Sequence, residues 1–177
     1  AVIGCGGVGQ SVIQGAKVAG AAQIIAIDLV PYKRESALAL GATHTVDPGE
    51  ADAVEQVMAL TGGRGVDYAF EVIGVPDLIV QAFNMARTGG AAVAVGVPHF
   101  MDSITIPSFP LVLSEKRLLG CVYGSAQVRR DFPRLVSLVQ SGRLDLGGMV
   151  SRTMGLDDIN EAFRAMKDGE VIRSVLV

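Results

Sequence analysis

The chain has 177 residues, of which 50% are hydrophobic and 19% are charged, and its net charge is −3. This balance favours a globular domain over a disordered chain, and the lack of a basic run excludes a typical nucleic-acid-binding surface. No apolar stretch reaches the ~20 residues that cross a bilayer, and no signal peptide is recognisable, so we expect no membrane partner and a cytoplasmic location.

Strand-like and helix-like segments alternate along the first part of the chain. Strands are predicted at 1–4, 23–29, 43–46, 66–74 and 90–97, and helices at 7–20, 31–41, 49–63 and 76–86. The strand at 23–29 has an uninterrupted apolar centre, as a parallel strand that is covered on both faces requires. The alternation predicts an α/β fold with a doubly wound parallel sheet.

The pattern changes after Pro98. The segment 99–116 contains prolines and shows little helical periodicity. Beyond it, strands are predicted at 118–124 and 171–177, and helices at 130–142 and 156–169. We therefore predict two parts, a sheet domain over 1–122 and an appended segment over 123–177.

The first strand and the first helix are joined by GCGGVG, residues 4–9, which matches G-x-G-x-x-G. In this motif one glycine permits a tight turn, another lets backbone N–H groups approach a diphosphate, and a third allows close packing of helix and strand. The phosphates then lie at a helix N-terminus, where free N–H groups and the dipole favour anions. In a chain with 22 glycines a chance match is a real competitor, so a second signal is needed.

Asp28 provides that second signal. It ends the second predicted strand, about 20 residues after the glycines, where an acid accepts hydrogen bonds from the adenosine ribose. Its charge would repel a 2′-phosphate, which predicts NAD rather than NADP as the cofactor. The alternative is a solvated carboxylate at a strand end. Taken with the motif and the alternation, Asp28 predicts a NAD-binding domain.

Several further segments, in order and spacing, resemble the zinc-dependent alcohol dehydrogenases of the medium-chain dehydrogenase/reductase superfamily. These segments are IIAID, GATHTVD, GVDYAFEVIG, VAVGVP and GEVIRSVLV, and the resemblance covers essentially the whole chain. It implies a Rossmann domain over 1–122 and a C-terminal segment that normally packs on a GroES-like catalytic domain. The stretch YGSAQVRRDFPRLVSLVQSGRLDL is most similar to NAD-dependent members that act on primary or aromatic alcohols and formaldehyde adducts.

The resemblance also implies roles for individual residues. The pyrophosphate turn would consist of Gly4, Gly6, Gly7, Val8 and Gly9, with Arg173 returning to it. The adenosine end would be held by Asp28 and Lys33 at the ribose and flanked by Leu29 at the adenine. The rest of the cofactor would contact Val72 and Ile73, then Val95, Gly96 and Val97 and the backbone of Tyr123 at the nicotinamide end. An exposed surface position is the alternative for Lys33 and Arg173, and ordinary core is the alternative for 95–97.

In that family a separate N-terminal domain supplies most of the zinc ligands and the proton relay. This chain offers two isolated cysteines and two isolated histidines, so we assign no metal ligand and no catalytic residue within it. We expect it to be a piece of a longer enzyme, inactive alone, whose parent uses zinc and an alcohol or aldehyde substrate. The resemblance further implies a homo-oligomer, a dimer formed through 99–116, although the apolar residues of that segment could instead be core.

Two other functions stay open. A zinc-free quinone or enoyl reductase of the same superfamily would prefer NADPH and would lack an acid at the position of Asp28. A non-catalytic NAD-binding module would bind the cofactor without any catalytic partner. The relative affinities for NAD and NADP separate the first of these from an alcohol dehydrogenase.

Overall fold

Six parallel strands form the central sheet of the computed structural model, which describes residues 1–177. The strands are β1 (Val2–Ile3), β2 (Ile25–Ile27), β3 (His44–Val46), β4 (Val66–Glu71), β5 (Ala86–Ala94) and β6 (Arg117–Gly120). They lie in the order β3-β2-β1-β4-β5-β6, so the chain starts in the middle of the sheet, winds to one edge, returns and winds to the other. This order confirms the doubly wound α/β fold.

Seven α-helices connect the strands or follow them. They are α1 (Gly7–Val18), α2 (Pro31–Leu40), α3 (Ala53–Leu60), α4 (Pro76–Met85), α5 (Ser108–Leu113), α6 (Val128–Gln140) and α7 (Ile159–Lys167). Proline opens α2 and α4, because the first helical position needs no N–H donor. The carboxylate of Asp52 caps α3 by accepting a hydrogen bond from the Glu55 N–H at 2.9 Å. None of the helices combines the length and the apolarity that a membrane crossing demands.

The two faces of the sheet carry separate hydrophobic cores. Ile25 and Ile27 of β2 point into one of them, whereas Ile24 and Ala26 point into the other. Successive residues of a strand alternate between faces, so an uninterrupted apolar run fills both cores at once. The first core also contains Val57 of α3 and Phe83 of α4, and the second contains Ile13 of α1 and Ala37 of α2.

The structure differs from the sequence prediction in several places. The strand predicted at 118–124, for example, ends at Gly120, and Tyr123 lies in a short 3-10 turn. The segment 99–116, expected without a helix, forms the short helix α5, none of whose residues is buried. The fifth strand begins at Ala86 rather than at residue 90. The last strand, β8 (Ser174–Leu176), pairs in parallel with an unpredicted strand β7 (Arg152–Met154) in a separate sheet. A three-residue strand has too few residues for a recognisable alternation, and its partner is supplied by a distant segment.

The segment 123–177 is attached to the outer face of α1 and to α2. The Gln14 side chain on α1 donates to the carbonyl of Asp145 at 2.8 Å and accepts from the Asp145 N–H at 2.7 Å. A small buried cluster joins Leu40 of α2 to Met149 and Ile172. These contacts fix where the C-terminal residues lie relative to the sheet.

The attachment through Gln14 can be tested by Gln14→Ala. The substitution leaves two backbone groups of Asp145 unpaired, at a cost of about 1–3 kcal/mol each. Hydrogen exchange is therefore expected to accelerate in 123–177 and to stay unchanged in β1–β5. Gln23→Ala is the matched control, because the exposed Gln23 amide donates only to the Leu60 carbonyl. Equal acceleration in the central strands would contradict a separately anchored segment.

Candidate functional site

The turn between β1 and α1 is built so tightly that two of its positions require glycine. Gly4 has a φ of +97°, and a Cβ there would lie 2.6 Å from Cγ1 of Ile73. A Cβ on Gly9 would overlap the carbonyl oxygen of Gly4. The first contact places the turn against the β4 exit, and the second lets α1 approach β1 closely.

Gly6 and the first turn of α1 present backbone N–H groups outward. Gly6 caps the helix, and a Cβ on it would meet no atom within 4 Å. The first helical hydrogen bond runs from the Gln10 N–H to the Gly6 carbonyl at 2.9 Å, so the amides of Gly7, Val8 and Gly9 precede it and have no intrahelical acceptor. Free amides at a helix N-terminus, together with the helix dipole, favour anions.

Arg173 lies beside this turn. A Cβ on Gly7 would be 3.5 Å from its Nη2 and 3.7 Å from its Nε. The Arg173 side chain is exposed and forms no salt bridge in the chain. Ser151 holds the backbone here, since its N–H donates to the Arg173 carbonyl at 2.8 Å and its hydroxyl accepts from the Ile172 N–H at 2.9 Å. An unpaired guanidinium thus stands over the helix N-terminus.

Asp28 lies on the other side of the glycine turn, at the carboxyl end of β2. One carboxylate oxygen accepts from the Cys5 N–H at 2.8 Å, and the other accepts from the Val30 N–H at 2.9 Å. Burial, followed by the charge of Asp28, raises the pKa of the Cys5 thiol to about 12. Cys5 is therefore an inert packing residue. The two N–H donors fix the orientation of the Asp28 carboxylate.

The two neighbours of Asp28 that were predicted at the adenosine end point in different directions. Leu29 is exposed beside the carboxylate. Lys33 lies in the first turn of α2, and its Nζ is 3.6 Å from the position of a Cβ on Gly169. The ammonium group of Lys33 is therefore next to the turn that follows α7.

The exits of β4 and β5 pack directly on each other. Glu71 is fully buried, and its Oε1 accepts from the N–H groups of Ile73 at 2.8 Å and Gly74 at 2.7 Å. A Cβ on Gly96 would overlap the Gly74 nitrogen, so the two turns touch through their backbones. Their apolar side chains remain outward: Ile73 is 53% exposed and Val97 is 85% exposed.

The other predicted residues of this edge lie at its two sides. Val72 faces the glycine turn, since its Cγ2 is 3.3 Å from the position of a Cβ on Gly9. The N–H of Val95 donates to the Glu71 carbonyl at 2.8 Å, and that of Cys121 donates to the Ala94 carbonyl at 2.9 Å. Tyr123 lies two residues beyond Cys121, outside the strands, with an exposed side chain.

Three residues support this site although the sequence analysis assigned them no role: Gln10, Arg34 and Glu71. Gln10 is fully buried, and its Nε2 donates to the carbonyls of Cys5 at 3.1 Å and Lys33 at 3.0 Å. Glu71 carries a signal in the sequence, namely a charged residue between an apolar strand and a glycine. Arg34 carries none, because an arginine on a helix is ordinarily exposed.

The chain contains no group of three or more His, Cys, Asp or Glu side chains placed to hold a metal ion. His44, for example, places its Nδ1 2.8 Å from the Thr43 hydroxyl. A tetrahedral zinc site needs converging ligands of these types. The residues of this chain therefore do not fit zinc by themselves.

Two glycines of α1 allow a matched test of the turn. Gly9→Ala is expected to lower the free energy of unfolding by about 2 kcal/mol or more, because its methyl group overlaps the Gly4 carbonyl. Gly15→Ala should stabilise the helix by about 0.5–1 kcal/mol, since a Cβ there meets no atom within 4 Å. Urea unfolding measures both. Equal effects of the two substitutions would contradict the close approach at Gly9.

The chain is similar to known proteins in both sequence and structure. The family model described as "Zinc-binding dehydrogenase" matches residues 7–141. The S-(hydroxymethyl)glutathione dehydrogenase of Synechocystis is 40% identical over 178 residues, which cover 99% of this chain and 48% of that protein.

Solved structures have a fold similar to that of this chain. Benzyl alcohol dehydrogenase from Acinetobacter calcoaceticus has a TM-score of 0.95 at 32% identity, with 99% of this chain and 48% of that chain covered. A structure from Sinorhizobium meliloti 1021 with bound NADP has a TM-score of 0.83 at 32% identity, with 91% and 46% covered. The chain thus spans about half the length of the relatives it matches.

Proposed function

The chain belongs to the zinc-binding dehydrogenase family, and from that membership we propose that it is the NAD-binding part of an alcohol dehydrogenase. The observation that carries the proposal is the glycine turn with Arg173 on one side and Asp28 on the other. In this proposal 1–122 is the cofactor domain, and 123–177 is the segment that rejoins the catalytic domain of the parent enzyme.

The residues around the glycine turn fit a dinucleotide in shape and in charge. The outward amides of Gly6 to Gly9 and the guanidinium of Arg173 would bind the diphosphate, since a planar guanidinium pairs well with phosphate oxygens. The carboxylate of Asp28 would accept hydrogen bonds from ribose hydroxyls. Leu29, exposed beside it, would cover one side of the adenine. The Lys33 ammonium, which lies next to Gly169 in this structure, would have to turn toward the ribose to add a positive charge there.

The carboxyl edge of β4 and β5 would receive the remainder of the cofactor. Open α/β sheets bind ligands at this edge. The exposed side chains of Ile73 and Val97 would exclude water from the nicotinamide ring of the cofactor. The same edge would also be lined by Val72, Val95 and Gly96. The backbone of Tyr123 would lie at the end of this edge. When bound, NAD supplies the acceptor for a hydride from the alcohol.

The substrate class is proposed from the relatives. One is named an S-(hydroxymethyl)glutathione dehydrogenase and another a benzyl alcohol dehydrogenase, which supports a formaldehyde adduct or a primary or aromatic alcohol. Because this chain's residues do not fit zinc, we derive no metal-dependent step from them. The substrate and the metal would be held by other parts of the parent enzyme.

We also propose that the parent is a dimer formed through 99–116. Phe109, Val112 and Leu113 of this segment are exposed, and β6 next to it is an edge strand with one side unpaired. Exposed apolar residues at a sheet edge ordinarily need a partner. Ile106, in contrast, is partly buried against the core without a partner subunit.

The proposal is tested by titration with NADH, followed by nicotinamide fluorescence and calorimetry. Saturable binding is expected in the wild-type chain, and Gly6→Ala should weaken it about tenfold or more. A methyl group on Gly6 meets no atom of the chain but stands where a diphosphate would approach the amides. The free energy of unfolding should change by no more than about 0.5 kcal/mol. Unchanged NADH binding in Gly6→Ala would contradict the proposed diphosphate position.

Coenzyme preference is tested separately with Asp28→Asn. The wild-type chain should bind NADH more tightly than NADPH, and the neutral variant should lose about tenfold of that preference, or about 1.4 kcal/mol, because the charge that repels a 2′-phosphate is gone. The dissociation constants of both cofactors measure it. Tighter binding of NADPH by the wild type would instead support the zinc-free quinone or enoyl reductase.

A further inference from the structure

Arg34 connects two strand ends directly behind Asp28. Its Nη2 lies 2.8 Å from Oδ2 of Asp47, and only 16% of the arginine side chain and 19% of the aspartate side chain are exposed. Its Nη1 donates to the carbonyl of Asp28 at 2.7 Å and to that of Leu29 at 3.0 Å. One guanidinium therefore bridges the exit of β2, where Asp28 stands, and the exit of β3, where Asp47 stands.

These bonds hold the backbone from which the Asp28 carboxylate projects. The carboxylate itself is oriented by the N–H groups of Cys5 and Val30, whereas Arg34 ties down the two carbonyls that follow β2. Lysine has a compact ammonium group without the planar fork of arginine, so the two residues are not interchangeable at this position. Partly buried ion pairs contribute little net stability, so the bridge serves geometry more than stability.

We propose that Arg34 is a positioning residue that sets the preference of this site for NAD over NADP. It acts through the Asp28 and Leu29 carbonyls and through Asp47, without contact with the nucleotide. With Arg34 in place, the Asp28 carboxylate is held where a ribose hydroxyl can donate to it and where a 2′-phosphate is repelled. This inference rests on the proposed function, because it requires that Asp28 binds the adenosine ribose.

The test compares Arg34→Met with the wild type in the full chain, using NADH, NADPH and inorganic pyrophosphate as probes. We expect the ratio of the NADPH to the NADH dissociation constant to fall about five- to tenfold, within the range for residues that modulate binding without touching the ligand. Binding of pyrophosphate should stay within about twofold of the wild type, because it depends on the glycine turn and Arg173.

Arg87→Met is the matched control. Arg87 also pairs with an aspartate, Asp67, and donates to a backbone carbonyl, that of Thr88, but it lies near the start of β5, away from the carboxyl edge. It should leave the coenzyme ratio unchanged. Asp47→Asn, which keeps the acceptor oxygen for Gly49 and removes the charge, should shift the ratio in the same direction as Arg34→Met and keeps the test decisive if that variant does not fold.

The outcomes separate the two hypotheses. An unchanged ratio in Arg34→Met and Asp47→Asn, or an equal loss of pyrophosphate binding, would overturn the positioning role while leaving the proposed function intact. A wild-type chain that binds neither NADH nor NADPH would overturn the proposed function, and the role of Arg34 with it.

Discussion

The close approach of Gly9 to the carbonyl of Gly4 is the constraint on which the site depends. It seats α1 on β1 with its first amides directed outward, and it brings the turn against the β4 exit through Ile73 and Val72. Without a side chain at either glycine, the backbone itself is the surface proposed to bind the diphosphate. A larger residue at either glycine would move α1. The groups that are attached to α1 would move with it.

The C-terminal segment depends on the same helix. Gln14 and Asp145 join it to α1, and Ser151 holds the backbone just before β8. Arg173 therefore lies next to Gly7 although it is far away in the sequence. A positive group then stands over the amides while Asp28 stands on the other side. In a dinucleotide the diphosphate is followed by the adenosine ribose. The positive charge of Arg173 and the carboxylate of Asp28 are arranged in the same order.

In the proposed function, holding a cofactor and transforming a substrate are separate tasks. The residues from Asp28 to Val97 that are proposed to contact the cofactor lie along the carboxyl edge of the sheet, but the chain has no cluster that could hold a metal. The chain spans about half of the relatives it matches. The proposed chemistry therefore requires a second set of residues, and the proposed contribution of this chain is to bind and orient the coenzyme and to select it.

The sequence by itself determined the doubly wound sheet, the glycine turn and the acid at the end of β2. These features follow from local rules, namely strand periodicity, the residues that begin and end helices, and close backbone contacts that only glycine permits. Tertiary structure alone decided the pairing of β7 with β8, the buried role of Glu71 beneath the Ile73 turn, and the bridge from Arg34 to Asp47. The pairing of β7 with β8 and the bridge from Arg34 to Asp47 join separate elements. The hydrogen bonds of Glu71 are local, but its burial depends on the elements that pack around it. Local periodicity describes which face a residue takes, but it carries no information about which group will meet it there.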